Sequence, residues 1–252
     1  MSLIDNFFVP VKKIDDCKEM DYKSICHIIE PLIALSKLAN QSIYIIDYFK
    51  KEFAYVAANP LFLCGYKIEE VKEMGYDYFE KVVIPEDLSM LFEINENGFG
   101  FFYNLPVNRR NQCFISYDFR IKHQNGNIIL INHKLIPLRI LSSGNMWLAL
   151  CLVTLSDSKH PGNVFIQMLN ESTKYNYSFK LKKFVLFEPT KLSSREKEIL
   201  KLTSMGYTSN SIASMINVDF NTVKFHKSNL FKKLEVKNST EAIGYAIANG
   251  II

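Results

Sequence analysis

Cysteine is sparse and unpaired in this 252-residue sequence: Cys17, Cys26, Cys64, Cys113 and Cys151 lie far apart, and no CxxC occurs. Disulfide frameworks and zinc ribbons need close or paired spacings, so neither is expected, and free thiols point to a reducing compartment. Long apolar runs are lacking too. The longest, Met146 to Val153, is far below the ~20 residues of a membrane helix, and the opening MSLIDNFFVPVKKIDD mixes acids into a very short apolar stretch, unlike a signal peptide. A soluble, cytoplasmic chain without a membrane partner is expected. There is no Gly-rich phosphate loop and no defensible Ser-His-Asp set, so the sequence is not read as an enzyme. His123 and His133 fall on strand-like segments without an evident carboxylate partner and are read as structural rather than heme or metal ligands. No metal site and no cofactor is evident.

An excess of one charge is missing from most of the chain but not from all of it. The net charge is +4. Residues 191–252 hold nine Lys or Arg against five Asp or Glu, while residues 1–190 hold 21 of each. The whole surplus sits in the tail, which points to a polyanionic partner for that part alone.

What is present divides the chain into three. In 21–39, DYKSICHIIEPLIALSKLA, apolar residues recur at helical spacing, with Pro31 expected to kink or break the run. SIYIID and EFAYVA read as short strands, followed by short helices punctuated by Gly65, Gly75 and Pro85. CFISYDFRIK alternates apolar and polar residues, and Asn125-Gly126 in HQNGN is a hairpin signal leading into IILINHKLIPLRI. MWLALCLVTL is apolar on both faces, so both need cover, and 21–39 is the obvious cover for one. Residues 158–190 read as a connector carrying an extra hairpin.

The tail reads as four short helices. Ser193 with Glu196 forms a capping box, Gly206 a stop, and Thr208 and Asp219 cap the next two helices. Tight turns between capped helices make a helix-turn-helix arrangement. On the third helix Asn221, Lys224, Phe225 and Ser228 recur at i, i+3, i+4 and i+7, opposite Val223, Leu230 and Leu234. A helix entering a major groove presents such a stripe: Lys224 can donate to guanine, Phe225 pack on a thymine methyl, and Asn221 or Ser228 bond a base edge. Thr222, His226, Lys227 and Lys232 flank it and would meet phosphates. The plain alternative is a solvated lysine face.

LSSRE, MGYTSNSIA, TVKFH, NLFKKLEV and the final EAI, A and NGII closely resemble the LuxR-type DNA-binding domain over 191–252. NPLFLCGYKIEEV, PED at Pro85–Asp87 and FRIKHQNGNIILINH, with the order of two strands, short helices and three strands, resemble a PAS domain over about residues 30–157. The resemblances imply an α+β fold: residues 1–157 a PAS-like antiparallel sheet with helices for sensing or dimerisation, 158–190 a connector, 191–252 an all-α four-helix DNA-binding domain. The implied function is a bacterial transcription regulator that binds double-stranded DNA. The second reading is a protein-interaction module whose helix-turn-helix serves assembly alone.

Two positions depart from the LuxR-type pattern: Ser211 stands where an acid is usual and Ser239 where an arginine is usual. LuxR-type relatives pair through the fourth helix, which implies a homodimer stripe of Ala242, Tyr245, Ala246 and Asn249; the other reading is that the alanines pack inside their own domain. Cys64 does not match the flavin-adduct motif of light-sensing PAS relatives. Phe62, Tyr66, Tyr117, Phe119 and Trp147, with Tyr76, Tyr78 and Phe79, are candidates to line a small-molecule pocket, or equally to fill a dry core.

Overall fold

A computed structural model describes residues 3–13, 20–39, 41–171, 173–188, 190–248 and 251. It divides into two compact units, Met1–Phe187 and Glu188–Ile252.

The first unit is built on one antiparallel sheet of eight strands in the order β2-β1-β5-β4-β3-β6-β7-β8. The strands are β1 (Ser42–Asp47), β2 (Glu52–Val56), β3 (Cys113–Lys122), β4 (Ile128–Ile140), β5 (Met146–Leu155), β6 (Gly162–Met168), β7 (Lys174–Ser178) and β8 (Lys183–Leu186). Between β2 and β3 run the helices α2 (Pro60–Leu63), α3 (Ile68–Met74), α4 (Asp77–Val82) and α5 (Pro85–Asn104), after α1 (Tyr22–Ala39). The β3–β4 hairpin turns at Gly126, whose φ of 90° suits a residue without Cβ. The segment set apart in sequence as a connector is not separate: β6 pairs with the free edge of β3, and β7 and β8 extend the sheet.

Two cores form because β1 and β5 are apolar on both faces. On one face Tyr44, Ile46, Ala149, Cys151 and Val153 meet the helices α2 to α5. On the other, Ile45, Trp147 and Leu148 pack with Ile25, Ile29 and Leu32 of α1. Pro31 does not break α1, which runs unbroken from Tyr22 to Ala39. Ile29 and Leu32 straddle the proline and rest on the same apolar surface, so packing offsets the backbone bond that Pro31 cannot donate. Phe7 and Phe8, from a short 3-10 turn at the start of the chain, enter the helix-side core beside Tyr76.

Charged groups fix the helix layer to the sheet. Asp87 in the PED segment accepts from Arg120 Nε at 3.0 Å, Nη2 at 2.6 Å and the Arg120 backbone N–H at 2.7 Å, which ties the start of α5 to β3. Arg110 donates to the carbonyls of Leu105, Gly144 and Tyr103, joining the end of α5 to the β4–β5 turn. A Cβ on Gly144 would stand 2.4 Å from Arg110 Nη1, so this contact needs glycine.

Among its described residues the second unit is built of helices alone: α6 (Ser194–Ser204), α7 (Ser209–Met215), α8 (Phe220–Leu234) and α9 (Ser239–Ala248). Leu192, Leu200, Leu230, Leu234, Ala242 and Ala246 fill one core, and Ile199, Ile212, Ala213 and Val223 fill the other.

Candidate nucleic-acid interface

Local chemistry sets where each helix of the second unit starts. Ser193 Oγ accepts from the Glu196 N–H at 3.2 Å, and Glu196 Oε2 accepts from the Ser193 N–H at 2.7 Å. Thr208 Oγ1 accepts from the Ser211 N–H at 3.2 Å, and its hydroxyl also meets Ser211 Oγ at 2.9 Å. Ser211, which departs from the usual acid, thus stays within the cap. Asp219 Oδ1 accepts from the Asn221 N–H at 2.7 Å. Between α6 and α7, Gly206 lies at φ 89° and the Tyr207 N–H reaches the Leu202 carbonyl at 3.2 Å. Between α7 and α8, Asn217 takes a left-handed φ of 53° and the Val218 N–H bonds the Ala213 carbonyl at 3.0 Å.

Two ion contacts lock the helices together, and sequence reading assigned neither. Glu196, almost fully buried, also receives Lys233 Nζ at 2.8 Å, joining the start of α6 to the end of α8. Burial works to raise its carboxyl, but the Lys233 ammonium and the Ser193 donors outweigh that and hold it below the usual range. Arg195 donates to the Ile216 carbonyl at 2.8 Å while pairing with Glu198 at 2.7 Å. A lone Glu–Lys separation of 37 residues carries no sequence signal.

With α8 anchored through Val223, Leu230 and Leu234, its other face is set. Asn221, Lys224, Phe225, Ser228 and Lys232 are all exposed, whereas Thr222, His226 and Lys227 are half-buried at the margins. Phe225 is 62% exposed, unusual for so large an apolar ring, and lies 5.7 Å from the His226 ring. Burial lowers the Lys227 ammonium from its ordinary value.

The α9 stripe needs correction. Ala242 and Ala246 are fully buried against Leu192, Leu200, Leu230 and Leu234, so they present nothing to a second copy. Their small side chains let α9 approach α6 and α8 closely. Tyr245 is half-buried, and Asn249 lies outside the described residues.

The aromatic set of the first unit is also divided. Phe62 and Phe119 are core residues: Phe62 stacks on Tyr44 at 4.3 Å, and Phe119 is 2% exposed. Tyr66 packs edge-on to Tyr78, and Trp147 lies across the sheet beside Tyr22 of α1. A small cavity of about 60 Å³ does exist between α5 and the sheet, and Tyr117 alone of the five candidate residues lines it. Tyr48, Asn95, Phe99, Phe102 and Met146 are among its other walls, and no residue of the lining carries a charge. Burial pushes the Tyr48 and Tyr117 hydroxyls far up, so both stay protonated. Deeper in the core, His133 Nε2 meets the Tyr44 hydroxyl at 2.6 Å. Burial lowers the His133 imidazole to about 3.

Residues 190–246 match the model of a family described as bacterial regulatory proteins, luxR family. Over 60 residues the chain is 47% identical to the regulatory protein SdiA of Escherichia coli (strain K12), covering 24% of this chain and 25% of that protein. Over 61 residues it is 44% identical to the response regulator protein VraR of Staphylococcus aureus, covering 24% and 29%. The chain thus spans about a quarter of the length of these curated relatives. Among solved structures, the phage VqmA-DPO complex aligns over 91% of this chain and 90% of that one, at 18% identity and a TM-score of 0.32. A PAS domain from a two-component sensor histidine kinase aligns over 52% and 99%, at 15% identity and a TM-score of 0.35.

Proposed function

With residues 190–246 forming a helix-turn-helix domain of the luxR family, we propose that the chain is a sequence-specific, double-stranded-DNA-binding transcription regulator, not an enzyme, acting in the cytoplasm under the control of its first unit. The observation that carries this reading is the outward face of α8. Asn221, Lys224, Phe225 and Ser228 stand exposed in one stripe, mixing base-edge donors and acceptors with an apolar ring, while buried residues anchor the helix from behind. Lys232 and the marginal Thr222, His226 and Lys227 bind phosphates and set the register. The domain boundaries are residues 1–157, 158–190 and 191–252 in function, with the middle segment carried on the sheet.

The regulator works as a homodimer on paired half-sites, since one small helix-turn-helix makes few phosphate contacts. Its contact is the outer side of α1, where Leu35 is 50% and Leu38 87% exposed, rather than the alanines of α9. The sensor input is a small, uncharged, mostly apolar molecule that enlarges the cavity beside α5 and bonds the Tyr48 and Tyr117 hydroxyls.

The purified chain, incubated with sheared genomic DNA of its source and washed at fixed salt, is expected to retain fragments sharing one two-fold repeated sequence. Retention of DNA with no shared sequence, and equal retention by Lys224→Ala, would refute the reading.

A further inference from the structure

The even charge of the first unit conceals a division. Residues 174–187, which carry β7, its turn and β8, hold four lysines and no Asp or Glu, while the rest of 1–190 holds 17 Lys or Arg against 21 Asp or Glu. A neutral sum thus joins an acidic body to a basic hairpin. The charge gathers at the hairpin tip, where Phe179, Lys180, Leu181, Lys182 and Lys183 follow one another and are all exposed. Lys180, Lys182 and Lys183 form no ion pair among the described residues. Leu181, set between them, is 57% exposed. The base of the hairpin is braced on α5: Phe101 packs edge-on to Tyr175 at 5.0 Å and to Phe184 at 5.5 Å, and the Tyr177 hydroxyl donates to Glu93 at 2.8 Å. The Leu181 N–H bonds Ser178 Oγ at 3.2 Å and closes the turn.

Lysines commonly guard an edge strand against pairing with another chain, and β8 is the last strand of the sheet. Guarding needs charge along the ladder. Val185 and Leu186, on β8 itself, carry none and are 40% and 50% exposed, whereas Lys180 and Lys182 lie in the turn. Ammonium groups clustered at a braced tip suit a polyanion instead. We propose that the tip of the β7–β8 hairpin is a second DNA contact of this chain, one that reads no sequence. Lys180, Lys182 and Lys183 bind backbone phosphates, and Leu181 rests on deoxyribose carbons between them. Contacts of this kind position a protein on any duplex alike. DNA is favoured over other polyanions by connectivity: residues 187–193 alone join β8 to α6, so a duplex held by the second unit meets the hairpin at high effective concentration. The proposal rests on the DNA-binding reading of α8.

The test uses the full chain and a labelled mixed-sequence duplex of about 40 base pairs, roughly four helical turns, read by fluorescence anisotropy over a series of salt concentrations. Lys180→Gln with Lys182→Gln and Lys183→Gln should weaken binding about tenfold or more and flatten the salt slope by about two to three per chain, since each phosphate contact contributes about 0.9. Arginine at the same three positions should restore both. Leu181→Ser should weaken binding roughly fivefold and leave the slope in place, because it removes apolar contact and no charge. All four positions are exposed, and unchanged melting would show that the sheet is intact. A glutamine variant with the parental affinity and slope would overturn the proposal and leave the reading of α8 standing, whereas a parent chain that binds no duplex would remove both. Flotation with phosphatidylglycerol vesicles covers the other polyanion. If the parent chain floats, the glutamine variant does not, and DNA binding is the same for both, the tip belongs to a lipid surface and the proposal fails.

Discussion

Replacing Phe225 with alanine removes a ring that is 62% exposed and belongs to neither buried cluster of its unit. Fully burying a Phe side chain contributes about 1.5–3 kcal/mol, and only the part still open to water can be gained on docking, which leaves about 1–2 kcal/mol for contact with a thymine methyl. The dissociation constant for a selected site should therefore rise roughly 5- to 30-fold. The midpoint of thermal unfolding should barely move, because the free domain does not pack this ring. Leu230→Ala is the counterpart: that residue is 1% exposed, and its truncation should cost about 2–5 kcal/mol of stability before DNA is involved. Anisotropy titration at one fixed salt concentration, with calorimetry of the free proteins, reads both quantities. If Phe225→Ala binds its site as well as the parent chain and prefers the same bases, the ring is not a reading group. If it instead lowers stability as Leu230→Ala does, the exposed face of α8 is wrongly placed.

Lys224→Ala should cost about 1–3 kcal/mol at one base pair and relax the preference there, whereas Lys232→Ala should weaken all sequences alike and flatten the salt slope; parallel titrations of matched and single-mismatch sites separate the two. Lys233→Ala strips a charge-assisted bond from the buried Glu196 carboxylate. With the Lys233 side chain 43% exposed, water replaces part of it, so about 1–2 kcal/mol of stability should be lost at pH 7. Because the Glu196 carboxyl is lowered in the folded state, its contribution is present above the ordinary carboxylate value and lost as pH falls through the folded one. The parent and Lys233→Ala curves should therefore converge in acid. Burial lowers the folded His133 imidazole to about 3 from its ordinary 6.5, so the folded state refuses a proton that the unfolded chain takes up. Stability of the first unit should decline by as much as about 1.4 kcal/mol per unit as pH falls below 6.5, and His133→Gln should remove that slope in denaturant titrations. Leu35→Glu with Leu38→Glu should shift sedimentation toward the monomer; an unchanged mass would move the dimer contact off α1.

The parts legible in the sequence are those fixed by neighbours along the chain. Ser193, Thr208 and Asp219 accept from N–H groups two or three residues on, so their capping is written in a few letters each. The Asn125-Gly126 turn is equally local, whereas the alternation expected of β3 gives way at Ser116 and Asp118, which are buried in the sheet and accept from the Asn132 amide of β4. The reading stripe of α8 follows from the same short-range logic, because Val223, Leu230 and Leu234 fix the inward side and leave the rest exposed.

What escaped the sequence depends on a surface that another element supplies. A pair of alanines one turn apart fits a helix contact, but the letters do not say whose helix; here α6 and α8 of the same unit take Ala242 and Ala246. Trp147 lies on a strand apolar on both faces, and the β4–β5 register shifts near Pro137, Arg139 and Ile140, so counting alternate positions could not fix its side. The hairpin in 158–190 had strand-like letters, yet only the free edge of β3 makes it part of the sheet.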